Sequence, residues 1–512
     1  MSAEVFTGEI LVSQVDKRQY RHITLPNSLP CLLVSDPDTE KASACCDVLV
    51  GSLCDPAEAQ GLAHFLEHML FMGTDKYPVE NEYSAFLNAH GGFSNAYTSQ
   101  ENTVYYFDVQ PDHFEKALDM FACFFTCPLL SADATEREMN AVDSENSKNL
   151  QSDSWRRFQL LKSLARPDHP INSFSTGNLE TLKKAPEAMG LNTRDLVLAF
   201  YAKHYSANNM RVVVYAKETL DQLQTWVLDK FAAVPNKSLP RPMFPADPYP
   251  PAQLCRYLEV VPIRDTKSLS VYFPIPPVEE MYITKPASYL GHLLGHESAG
   301  SILSLLKAKL WANGLSAGTY LSNWDFAAFA VTVELSDLGT QHCDEVVSVI
   351  FSYLQMLASQ GAQQWVLQEI RETGDMNFKF LNKSDPSDYV TQLANGMHVF
   401  SKAHSVAGSH LHFSEDVPQV QQFLTSLTPS NSFILVTDKA FTGKTALKEK
   451  WYGTDYSETA YSKTQTSMWE EAFKTPTEWS KTLSLPTPNP FLPTDFKLRA
   501  GPEKGGDAGK EG

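Results

Sequence analysis

The order of predicted elements points to an α+β protein in which one unit, a sheet covered by helices, is used twice. Two blocks of similar size flank a proline-rich stretch, VPNKSLPRPMFPADPYPPAQ, at 234–253. Each block opens with strand-like runs, and each then alternates long helical stretches with further strands. Seven prolines in twenty residues predict a stiff, extended connector and not an element of a core. The division expected is a first α+β domain at 1–235, a linker at 236–253, a second α+β domain at 254–484 and a proline- and glycine-rich tail at 485–512.

In the first block, ITLPNSLPCLLVSD and ASACCDVLVGS read as strands, and a helix carrying residues 64–71 comes next. TVYYFDV and MRVVVYA are further strands, set among helical stretches at 112–126 and 217–232. The stretch ATEREMNAVDSENSKNL reads as a helix, with Asp133 placed as its N-cap and Glu136 three residues on. The second block starts with strand-like CRYLEVVPIRDTKSLSVYFPIP, then one long helix over 286–311, the strand FAAFAVTVELS, and helices at 340–360 and 363–382. Residues 499–512, rich in glycine, lysine and acids, are expected to be disordered.

Composition narrows the function classes. The 512 residues are 43% hydrophobic, as in ordinary globular proteins, and the net charge is −18. That charge makes nucleic acid and anionic membrane poor partners. No apolar run reaches the 18 residues of a membrane helix, and the N-terminal segment has no signal or transit pattern. Eight cysteines show no secreted-type framework and read as free thiols, with Cys123 and Cys127 taken as buried apolar residues and not as a metal pair. The expected compartment is the cytoplasm.

Residues 64–68 read His-Phe-Leu-Glu-His. On a helix His64 and His68 share a face, so two neutral imidazoles can reach one zinc ion. Glu67, one residue before the second histidine, is placed to act as general base toward a zinc-activated water. This is the inverted zinc-peptidase order, H-x-x-E-H. Catalytic zinc usually takes three protein ligands, and Glu145 is the candidate third. Glu138 lies two helical turns before Glu145 and faces the same way, placed to orient a ligand histidine.

The run GLAHFLEHMLFMGTDKYPVENEYSAFLNAHGGFSNAYTSQENTVYYFDV resembles the active-site segment of the pitrilysin-like (inverzincin) zinc metallopeptidases, in particular their insulinase-like branch. The likeness continues through FFTCPLL, EREMNAVDSE, WRRFQLLKSLARPDHP, FSTGN, VPIRD, YLGHLLGHES and WYGTDY, to about residue 495. The resemblance implies a repeated domain with a mostly antiparallel sheet, one zinc ion per chain, and a third-ligand glutamate at the position of Glu145. It also implies endopeptidase activity on peptides.

A peptide lying across the metal can be held by strand addition at a sheet edge. The segment with Asn95, Ala96, Tyr97 and Thr98 is the candidate edge, and the resemblance places those residues beside the scissile bond. It places Phe71, Trp155 and Phe158 in side-chain pockets near the zinc, with Tyr97 and Tyr106 as additions. Trp155 is expected to continue the helical region of Glu145. A second histidine pair, His292 and His296, lacks a further ligand and a base. The resemblance makes His292, Gly295, Glu297 and Leu315 a remote anchor for a substrate N-terminus, with Ser288 and Ala317 departing from the pattern. Relatives of this branch are about twice as long, and their second half closes over the peptide. Three readings follow: assembly with a partner chain that supplies that half or with a second copy as a homodimer, a truncated or incomplete chain, or a regulator that binds peptides but cuts poorly. The rival classes are a peptide-binding or regulatory module without efficient turnover and a small-molecule zinc hydrolase.

Overall fold

A computed structural model describes residues 2–493, 495 and 496. It contains two seven-stranded sheets. The first is built from β1 (Glu4–Val5), β2 (Gln19–Thr24), β3 (Pro30–Ser35), β4 (Ala42–Val48), β5 (Phe93–Thr98), β6 (Thr103–Val109) and β7 (Met210–Ala216). The second is built from β8 (Arg256–Val260), β9 (Ser268–Ile275), β10 (Ala312–Ser322), β11 (Ala327–Leu335), β12 (Phe433–Thr437), β13 (Leu447–Lys448) and β14 (Asp455–Ala460).

The strand orders are β1-β2-β3-β7-β4-β6-β5 and β10-β11-β9-β12-β8-β14-β13. Each sheet has one parallel pair, β3 with β7 and β8 with β12, and every other pairing is antiparallel. Reading β3-β7-β4-β6-β5 against β8-β12-β9-β11-β10 shows the same unit twice, with the parallel pair in the same place. The repeat is evident in the topology although the two blocks share too little sequence to reveal it. In this correspondence β5 and β10 are equivalent strands, and each is an edge strand of its sheet.

Five helices of the first block matter to the site: α1 (Leu62–Leu70), α2 (Glu82–Ala89), α3 (Phe114–Thr126), α4 (Ala132–Asn149) and α5 (Asp153–Ser163). One face of the first sheet packs on α1, α2 and α3, in a core that includes Phe65, Leu66, Tyr105, Phe107, Phe121 and Phe124. Its other face is covered from the second block. Tyr389, Val390, Leu393 and Ala394 of the helix Pro386–Val399 pack on Leu32, Val34, Cys45 and Val213. The second sheet is treated reciprocally: Leu160, Leu161 and Leu164, on α5 and at its end, pack on Leu258, Tyr272, Phe433 and Leu435. Burying large apolar side chains at about 25 cal/mol per Å² makes such exchanged helices a strong bond between the blocks.

Four expectations are corrected. The proline-rich stretch does contribute to a core: Tyr249 is buried among Leu161, Leu258 and Phe433, and its hydroxyl donates to the Leu161 carbonyl (3.1 Å). The helix expected over 286–311 is two helices, Pro286–Leu294 and Ile302–Ala308, because Gly295 and Gly300 interrupt it and Ser301 caps the second. The helical region of Glu145 ends at Asn149, and Trp155 lies on α5, a new helix. The cap of α4 is Ser131, which accepts from the Ala134 N–H, while Asp133 sits in the first turn. The described part of the tail has no strand or α-helix, and residues 499–512 lie outside the described residues. No described helix is long and apolar enough to cross a membrane.

Candidate metal centre

The helix α1 begins where only glycine fits. Gly61 has φ +89°, and a Cβ there would lie 2.3 Å from the Cα of Gly177. The carboxylate of Asp55 accepts the N–H groups of Gly61 (2.8 Å) and Ala63 (2.7 Å), satisfying orphan donors of the first turn. The contact of Gly61 with Gly177 brings the neighbouring Thr176 carbonyl to His64, whose Nδ1 donates to it at 2.6 Å. Gly61→Ala should therefore strain both the backbone and the contact, lowering stability by roughly 2 kcal/mol or more. A denaturant midpoint equal to that of the parent protein would refute this account of the helix start.

The other imidazole is fixed from α4: Nδ1 of His68 lies 3.2 Å from Oε2 of Glu138. Both Nε2 atoms then turn to the same oxygen, Oε2 of Glu145, 3.6 Å from each. The three atoms lie within 4.8 Å of one another, and no other group of three His, Cys, Asp or Glu residues among the described residues is so placed. Donors about 2 Å from a tetrahedral ion sit about 3.3 Å apart. The donor set, two imidazoles with the far nitrogen already engaged and one carboxylate, fits zinc. His292 and His296 face each other with ring centroids 5.3 Å apart, and no third His, Cys, Asp or Glu among the described residues joins them as a ligand set.

Glu67 is buried beside this cluster. The Thr98 hydroxyl donates to its Oε2 at 2.6 Å. Burial pushes the Glu67 carboxyl above its ordinary value, against the opposing pull of His64, Thr98 and His68. Burial depresses His68, but Glu138 and Glu145 outweigh it and lift this imidazole to about 9. The hydrogen bond to His68 holds Glu145 low. Charge on these groups is thus shared within one compact cluster.

The cluster opens into a cavity of about 970 Å³. Asn95, Ala96, Tyr97 and Thr98 line it along β5, and Phe71, Trp155 and Phe158 line it near the histidines. Tyr106 does not line this cavity; it packs on the opposite face of the sheet, toward the helix Pro386–Val399. Leu315 is on β10, and His292 is on the helix Pro286–Leu294, which passes close enough that a Cβ on Gly291 would lie 3.1 Å from the Ala317 carbonyl oxygen. Gly295 ends that helix, and Glu297 is an exposed partner of Lys307.

Several contacts at the site are not predicted by the sequence. Thr98 is expected only as part of the substrate-binding edge, and its hydrogen bond to Glu67 is new. Thr176 lies in FSTGN, to which the sequence assigns no role, and Gly61 and Gly177 are the signal available for it. From the second block, Tyr452 donates to or accepts from the Thr176 hydroxyl (2.9 Å) and stacks on Trp155, while Trp451 stacks on Phe174. The WYGTDY segment thus braces the loop that holds His64.

This combination of repeated fold and inverted motif matches known proteins. The model of the insulinase family (peptidase family M16) matches residues 31–168, that of the peptidase M16 inactive domain matches 192–373, and that of the middle or third domain of M16 peptidases matches 378–510. The chain belongs to peptidase family M16. Among M16 relatives, insulin-degrading enzyme of Homo sapiens is 42% identical over 493 residues, 96% of this chain and 48% of that protein. Insulin-degrading enzyme-like 1, peroxisomal, of Arabidopsis thaliana is 42% identical over 97% of this chain and 51% of its own length. Nardilysin of Rattus norvegicus is 39% identical over 90% of this chain and 40% of its own length. The crystal structure of pitrilysin superposes with a TM-score of 0.92 at 32% identity, covering 97% of this chain and 52% of that one. The chain spans about half the length of the curated M16 relatives it matches.

Proposed function

We propose that this chain is a zinc metalloendopeptidase of the insulin-degrading-enzyme type. His64, His68 and Glu145 hold one zinc ion, and Glu67 is the general base. The observation that carries the reading is the convergence of two Nε2 atoms on one carboxylate oxygen at 3.6 Å, with a buried carboxylate alongside. When bound there, zinc supplies Lewis acidity to the cleft. Glu67 takes a proton from the attacking water and returns it to the leaving amine. Its raised affinity for protons suits both transfers, and the Thr98 hydroxyl fixes which oxygen stays free.

The peptide adds as a strand to β5, so backbone pairs with backbone and sequence selection is loose. Asn95, Ala96 and Tyr97 meet it, while Phe71, Trp155 and Phe158 take side chains near the metal. His292, Gly295, Glu297 and Leu315 hold a substrate N-terminus at the second sheet. All eight cysteines are free, which supports the cytoplasm as the compartment.

A second reading is favoured by length: the chain spans about half of its relatives. It would be a peptide-binding or regulatory half that turns over slowly until a partner chain, or a second copy, completes the cleft. Zinc analysis, a quenched fluorescent peptide and a molar-mass measurement separate the two. The first reading expects about one zinc per chain, cleavage that stops with a chelator, and recovery on adding zinc. Zinc without cleavage selects the second. Cleavage persisting in metal-free protein would refute the zinc mechanism.

A further inference from the structure

The two equivalent hairpins, β5–β6 and β10–β11, meet at their turns. The Asn323 side chain donates through Nδ2 to Oε1 of Gln100 at 2.7 Å, and the Trp324 N–H reaches both oxygens of Glu101, at 3.0 and 3.3 Å. Each turn is also held in its own hairpin: Ser99 N–H donates to the Asn102 carbonyl and Asn323 N–H to the Phe326 carbonyl. Behind Trp324, Arg241 pairs with Asp325 in two hydrogen bonds (2.8 and 2.9 Å) and lies 5.4 Å over the indole ring.

The first hairpin is gripped a second time from the helix Pro386–Val399. Asn395 donates to the Tyr97 hydroxyl (2.9 Å), and Asn102 donates to Asn395 (3.2 Å) and to the fully buried Asp47 (3.0 and 3.1 Å). His398 lies 3.4 Å from the same Asp47 carboxylate. Tyr97, Gln100, Glu101, Asn323 and Trp324 all line the cavity that contains the metal centre.

We propose that Gln100 and Glu101 clasp Asn323 and Trp324 so that the edge strands β5 and β10 form one continuous track for a long peptide. Glu101 and Asn323 are positioning residues: they touch no reacting group but set the register between the two edges. The proposal rests on the reading of both edges as peptide-binding. Strands rise about 3.3 Å per residue, so a peptide of about six residues is satisfied by β5, whereas one of about twenty also reaches β10. Only the longer peptide depends on the clasp.

Protons act on the same contact. Burial lifts the Glu101 carboxyl to about 7; the Trp324 amide and Arg241 pull it down, and Asp325 and Glu279 push it up. Cys54 also faces it. A clasp that opens exposes Glu101, restores its ordinary acidity and releases a proton. Opening therefore becomes easier as pH rises from the ordinary carboxyl range to about 7, and levels off above it.

The test uses the full chain carrying Glu67→Gln, so that binding is read without cleavage. Two C-terminally labelled disordered peptides, of about six and about twenty residues, are titrated by fluorescence anisotropy. Adding Glu101→Ala or Asn323→Ala should weaken the long peptide by about fivefold or more and the short one by less than about twofold, while Glu101→Gln, which keeps an acceptor for Trp324, retains long-peptide binding. Equal losses for both peptides, or no loss for the long one, would overturn the proposal. Amide exchange over 320–327, corrected for intrinsic rate, judges the clasp without any peptide. It should accelerate with pH below about 7 in the parent and be flat in Glu101→Gln. If neither peptide binds the parent, the peptide-edge reading fails, and the exchange data alone decide whether the clasp exists; unprotected Trp324 in the parent would sink it.

Discussion

Glu67→Gln is expected to leave zinc bound at the parent stoichiometry and to lower peptide turnover by roughly 10²–10⁴-fold, the usual contribution of a positioned general acid–base. The substitution is nearly isosteric, and an amide oxygen can still accept from the Thr98 hydroxyl, which now bonds Oε2 at 2.6 Å. The buried charge is removed, so the fold loses nothing that it relies on. Glu67 makes no contact with Nε2 of either histidine in the pattern that joins them to Glu145. Metal content should therefore be untouched, which separates a lost base from a lost ion. A zinc-loaded Glu67→Gln protein that cleaves within about tenfold of the parent rate would remove Glu67 from the mechanism.

How much of this could be read beforehand differs between fold and site. The central strands are legible because they are covered on both faces and read as apolar runs, as in PCLLVS and MRVVVYA. The break at 295–301 was missed because apolar residues on both sides continue a helical rhythm that two glycines cancel. The exchange of helices between blocks was invisible. An amphipathic helix such as Pro386–Val399 shows which side is apolar, but not that the sheet it covers begins some 350 residues earlier. His64, Glu67 and His68 were legible because their spacing is local. Glu145 needed a second helix, and Thr176, Tyr452 and Asn395 needed the fold itself, since hydrogen bonds between distant segments leave no periodic trace.

The second block is consequently part of the centre and not an appendage. Tyr452 braces Thr176, which orients His64, and Asn395 and Trp324 hold the hairpin whose Thr98 orients Glu67. A chain cut at the proline-rich stretch would uncover the second faces of both sheets and release these supports together.

Glu145→Ala is expected to cost the centre its metal. In the cluster the carboxylate is the only described group that meets both free imidazole nitrogens, each at 3.6 Å, and no other described His, Cys, Asp or Glu joins the two histidines within 4.8 Å. Two histidines alone leave the ion short of the three protein ligands a catalytic site usually has. Glu138→Ala gives the contrast. It removes the oxygen 3.2 Å from Nδ1 of His68, so the ring loses its orientation but the ligand set survives; a loss of about 10–100-fold in zinc affinity is the ordinary consequence. Competition with a chelator of known affinity ranks the two variants. Glu145→Ala should retain no zinc after dialysis while Glu138→Ala still loads at higher free zinc, and both should remain folded by circular dichroism. If Glu145→Ala holds zinc as tightly as Glu138→Ala, the carboxylate is not a ligand, and the convergence of the three side chains is a hydrogen-bonded cluster that happens to have the spacing of a metal site.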